Sequence, residues 1–97
     1  KYLPLHFAMS MINVFFKLNN TDKQPTQLPT NFTYEDFVKA SEALYGKNCC
    51  QTLSFIASKK NLAAHDKAQF NERKKFIKDQ CHIWTMQRMP GGLGTNQ

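Results

Sequence analysis

Residues 3–18 are apolar almost throughout, and no other feature of the chain narrows its fold as much. A run of this kind has to be buried, either as a core helix or as an inner strand. Its interruptions favour the helix. His6, Ser10, Asn13 and Lys17 follow at intervals of four, three and four, which stacks them on one helical face. Leu5, Phe7, Met9, Ile12, Phe15, Phe16 and Leu18 cover the remaining surface, and Pro4 suits a first turn. The expectation is a largely buried first helix with one wet stripe. The run is shorter than the roughly 20 residues of a membrane span, so none is expected. A helix lying on a membrane would carry several cations on its polar stripe, and here only Lys17 is one.

Residues 19–32 hold two prolines and few apolar side chains, and read as a loop. Thr33 has the chemistry of an N-cap, with Glu35 and Asp36 in the first turn behind it, where the helix dipole favours acids. Phe37, Ala40 and Leu44 line one face of that second helix, and Gly46 suits its C-terminus. A third helix is expected from Asn48, with Cys49, Leu53 and Ile56 inward and Lys59 and Lys60 at its end. Beyond it, Phe70, Ile77 and Trp84 recur every seven residues, with Phe76 and Ile83 beside them, as on an apolar helical stripe. Asp66 and Asn71 are each able to cap a new start within that segment. Pro90-Gly91-Gly92 ends it.

The 97 residues make one domain, with 41% apolar side chains and eight Phe to fill a core. The fold expected is an all-α bundle of four or five helices over residues 1–90, with the loop at 19–32 and a flexible tail at 91–97. Lys1 in place of Met reads as a domain cut from a longer chain.

The net charge is +6, and eleven of the thirteen basic residues are lysine. From residue 59 onward eight basic residues stand against three acids. On one continuous last helix Lys67, Lys74, Lys78 and Arg88 lie away from the apolar stripe, as a strip of cations suited to phosphates. Lysine is a point-charge phosphate binder, whereas base reading prefers the forked arginine. The segment from Phe37 through Gly46 to Ile56 also has the proportions of a helix-turn-helix. The candidate nucleic-acid contacts are therefore Lys47, Gln51, Thr52, Lys59, Lys60, Lys67, Arg73, Lys74, Lys75, Lys78 and Arg88. The competing expectation is a protein-interaction or oligomerisation domain with an acidic protein partner, using the Phe- and Met-rich helices that carry Met9, Met11, Met86 and Met89.

Cys49, Cys50 and Cys81 are odd in number, and two are adjacent, so no disulfide framework is expected. Reduced thiols point to a nuclear or cytoplasmic setting. Neither the cysteines nor His65 and His82 have metal-chelating spacing, so neither metal nor cofactor is expected. No Ser-His-Asp set, Gly-rich phosphate loop or carboxylate pair is present, so the chain is expected to be non-enzymatic. Trp84 is assigned to the core.

Overall fold

The computed structural model describes residues 10–88. It is a mixed α/β domain, not a helical bundle. Five strands, β1 (Met11–Leu18), β2 (Gln24–Pro29), β3 (Leu53–Ala57), β4 (Lys60–Asn61) and β5 (Cys81–Gln87), form one sheet in the order β2-β1-β5-β3-β4. The helices are α1 (Tyr34–Tyr45), the single turn α2 (Cys49–Thr52) and α3 (Lys67–Arg73), which runs into a 3-10 turn at Lys74–Phe76. The expected first-helix residues before Ser10, and the tail, lie outside the described residues.

The expected first helix is strand β1 over its described part. Ile12, Val14 and Phe16 turn inward, and Val14 and Phe16 are completely buried, while Asn13, Phe15 and Lys17 turn outward. The polar spacing misleads because a step of four is shared. Asn13 and Lys17 fall on one face of a helix, and on one face of a strand as well. The expected loop at 19–32 contains β2, paired antiparallel with β1. The expected third helix keeps only one turn before the chain extends into β3. The last helix is replaced by α3, the 3-10 turn and β5. Along β5 the buried Ile83 and Thr85 alternate with exposed His82, Trp84 and Met86. That period of two, rich in β-branched and aromatic side chains, overrides the sevenfold spacing. The helix-turn-helix is therefore not formed, and Trp84 is a surface residue.

Local signals at α1 and α3 do operate as expected. Thr33 Oγ1 accepts from the Asp36 amide at 3.1 Å, and Asp36 Oδ2 accepts from the Thr33 amide at 3.0 Å, a reciprocal capping box. Gly46 ends α1 at φ 99°, a conformation that side-chain-bearing residues adopt poorly. Asp66 caps α3, accepting from the Gln69 amide at 3.1 Å.

α1 lies across the inner face of the sheet, and its Phe37 is the centre of the core. The Phe37 ring is completely buried between Phe16 of β1 (5.8 Å between ring centroids), Phe55 of β3 (5.2 Å) and Phe70 of α3 (4.8 Å). Phe16 and Phe55 also meet edge to face at 89°. The ring thus ties two strands that are not neighbours in the sheet to both longer helices. Between Phe16 and Phe55 runs β5, parallel to β1 and antiparallel to β3. Its start is pinned to β1, where the Asn13 amide donates to Asp79 Oδ1 at 2.8 Å and the Gln80 amide donates to the Asn13 carbonyl at 2.6 Å.

The β3–β4 hairpin turns on Ser58 and Lys59, with φ of 53° and 64°. Two successive positive values make this a type I′ turn, a conformation that favours Asn-Gly. Neither residue is Gly, so the turn carries strain of about 1 kcal/mol or more. Replacing the pair by Asn-Gly should raise unfolding stability by about 1 kcal/mol, read from urea denaturation. Phe37→Ala, in contrast, should cost about 3–5 kcal/mol by the same measurement, because it empties a site walled on three sides by rings.

Candidate functional site

With α1 and α3 gathered on the inner face, no helix among the described residues lies on the outer face of the sheet. Partners in register share a face, so Phe15 lies beside His82, with ring centroids 5.4 Å apart. One step along, Lys17, Trp84 and Ile56 form a row across β1, β5 and β3, followed by Met86 beside Ser54. Trp84 is 47% exposed and Met86 44%. No Asp or Glu stands in any of the five strands. The outward rows therefore set Phe15, Trp84, Ile56 and Met86 among Lys17, His82 and Ser54, with no acidic side chain of their own. The alternation His82-Trp84-Met86 against Cys81-Ile83-Thr85 was the signal for it in the sequence.

The sheet's two edges offer little to an added strand. The Thr30 amide donates to the Ser10 carbonyl at 2.9 Å, which sets the phase of the β1–β2 ladder. In that phase the amides at positions 25, 27 and 29 face away from β1. Two of the three are prolines, so only Gln27 has an outward donor. The other edge, β4, is two residues long. Both are protections against strand addition.

The expected nucleic-acid contacts do not form a strip. Lys47 is exposed in the turn between α1 and α2, and Lys59 and Lys60 are in the hairpin. Lys67 is in an ion pair with Glu35 at 2.7 Å, which holds the carboxyl below its usual pKa and raises that of the lysine. Arg73 donates to the Asn61 carbonyl at 2.9 Å, and Arg88 to the Gln51 carbonyl at 3.3 Å. Gln51 Nε2 reaches the His65 carbonyl at 3.3 Å, and Thr52 Oγ1 the Cys49 carbonyl at 3.3 Å. The continuous helix that was to align these groups is absent, and several of them are engaged in holding the domain together. Among the described residues there is neither a helical domain nor one continuous basic helix.

Three of the cations do come together. Lys74, Lys75 and Lys78 line an open cleft of about 330 Å³, with Thr30, Asn31, Phe32 and Ile77. Lys74 Nζ donates to the Phe32 carbonyl at 3.1 Å and lies 5.6 Å from the centroid of the Phe32 ring. Nothing in the sequence marks the Thr30–Phe32 wall, because it belongs to the expected loop at 19–32 and meets the lysines only through the fold.

The cysteines are free thiols. Burial pushes the Cys50 thiol up to about 11 despite the Ser41 hydroxyl 3.3 Å away, and also raises Cys81. Cys50 is thus a protonated packing group at neutral pH. Among the described residues no group of three metal-ligating side chains gathers, and no helix is long and apolar enough to cross a membrane. No protein-family model matches the chain, and no curated protein matches it.

Restoring amides to the β2 edge tests the edge argument. Pro25→Thr with Pro29→Thr should make the protein self-associate, seen as a rise in mass by sedimentation at rising concentration. An unchanged monomer–oligomer balance would show that the prolines are not what closes this edge.

Proposed function

We propose that this domain is a non-enzymatic protein-interaction module, and that its outer sheet face docks an acidic partner that brings apolar anchors. The observation that carries the reading is Trp84, half exposed on a strand inside the sheet, between Lys17 and Ile56. A large aromatic at the centre of an exposed apolar surface is the residue type and position of an interaction hot spot. The blunted edges favour docking on the face over pairing along a strand. The absence of acids from every strand, with a net charge of +6, favours a partner whose rim is negative. The Phe- and Met-rich helices expected to make such a contact are replaced here by the outward rows of β1, β3 and β5.

Trp84 is the one tryptophan of the chain, so its fluorescence reports on this face alone. A short peptide alternating Glu with Leu and Phe should move the emission to the blue saturably, and added salt should weaken the effect. A peptide with Lys in place of Glu and the same apolar residues should bind much less. Trp84→Ala should leave stability within about 1 kcal/mol of the parent. It should reduce binding of the acidic peptide, measured calorimetrically, by about 2 kcal/mol. Equal responses to the two peptides, or none to either, would overturn the proposal.

A further inference from the structure

The cleft between the loop after β2 and the 3-10 turn shares no lining residue with the outward rows of the sheet, and its chemistry is different. Three lysines within five residues line it, and the tight turn is what gathers them. The Ile77 amide bonds back to the Lys74 carbonyl at 2.9 Å and Ile77 is extended, so the helical path ends before Lys78 instead of carrying it further along a helix. Beneath them, Phe32 and Ile77 are buried and fix the floor. Lys74 is held in place by the Phe32 carbonyl and ring, so its ammonium is ordered before any ligand arrives, with donors to spare. Lys75 Nζ lies 5.7 Å from the Phe76 centroid, which limits its range as well.

Their charge is not neutralised internally. Among the described residues the one ion pair is Lys67 with Glu35, so no carboxylate lies within 4.0 Å of the three ammonium groups. Asp79, the nearest acid along the chain, turns its Oδ1 to the Asn13 amide on β1 instead. Like charges brought together without a counter-charge repel, and an anion placed among them removes that repulsion.

From this arrangement we infer that the cleft is a binding site for a phosphate monoester. A monoester near neutral pH carries close to two negative charges and three terminal oxygens, enough to give each ammonium its own acceptor. A carboxylate has one charge and two oxygens, and a phosphodiester one charge. At about 330 Å³ the cleft is at the small end of ligand sites and admits the phosphate with a group about the size of a side chain. The monoester comes from one of two sources, a free small organic phosphate or a phosphorylated side chain of a peptide. This inference is independent of the outer face and stands or falls without it.

The test is an amide chemical-shift titration at physiological ionic strength, with phenyl phosphate, dimethyl phosphate and a short phosphotyrosine peptide as probes. Phenyl phosphate should shift the amides of Asn31, Phe32, Lys75 and Lys78 saturably, with a Kd of about 1 mM or tighter. Dimethyl phosphate should bind about tenfold more weakly or not at all. Lys75→Gln with Lys78→Gln should weaken phenyl phosphate about tenfold while the melting temperature holds, because both side chains are exposed. Lys74 is left in place, since it also holds the loop. Tighter binding of the peptide than of phenyl phosphate would assign the site to a phosphorylated side chain, and equal binding to a free phosphate. No saturable shift up to 10 mM (about ten times the expected Kd), equal binding of the diester, or full affinity in the double variant would overturn the assignment.

Discussion

The stacking of Phe37 against Phe16, Phe55 and Phe70 is the contact on which the other features depend. Each of these rings comes from a different element, and β1 and β3 are separated in the sheet by β5. A single buried aromatic therefore sets the distance between α1 and the sheet, and the seat of α3 beside it. Edge-to-face and tilted contacts suit this role, because ring quadrupoles favour them over parallel stacks and make the packing directional. The capping box at Thr33 and Asp36 places the start of α1 so that Phe37 falls over the sheet.

The character of the outer face follows from the same arrangement. Side chains alternate along a strand, so a sheet that turns Ile83 and Thr85 towards Phe37 must turn His82, Trp84 and Met86 the other way. Phe15 and Ile56 join them from the neighbouring strands because register partners share a face. The domain protects its edges, with prolines on one side and a two-residue strand on the other, whereas among the described residues nothing covers this face. That contrast separates a surface kept from indiscriminate strand pairing from one available for side-chain contacts. The cations are sorted too. Lys67, Arg73 and Arg88 bond to the domain's own oxygens at separate places, whereas Lys74, itself bonded to the Phe32 carbonyl, shares one cleft with Lys75 and Lys78.

Much of what was legible in the sequence concerned chain ends and turns. Thr33, Asp66 and Gly46 act through neighbours within a few residues, and such signals operate whatever the rest of the chain does. The strands were hidden for separate physical reasons. In β1 the polar residues Asn13 and Lys17 are four apart, a spacing that helices and strands share. In β2, Pro25 and Pro29 have the composition of a loop, and only an edge position with outward-facing amides makes them compatible with a sheet. The hairpin at Ser58-Lys59 lacks the Asn-Gly sequence that its backbone favours, so nothing local announced it. The sevenfold spacing of Phe70, Ile77 and Trp84 was a coincidence between a helix and a strand.

By itself, then, the sequence determined a Phe-rich core with free thiols, the limits of α1, the start of α3, and an excess of lysine in its last third. Each of these depends on composition or on contacts a few residues apart. Tertiary structure alone decided that β1 pairs with β5, joined by a contact 66 residues apart along the chain, between the Asn13 amide and Asp79. It also decided which side of that pairing faces Phe37, and so whether Trp84 is core or surface. A strand's identity is settled by partners distant in sequence, because half of its hydrogen bonds and one of its faces belong to other segments. For that reason both the outer face and the lysine cleft, which combine segments far apart along the chain, became visible only in the folded molecule.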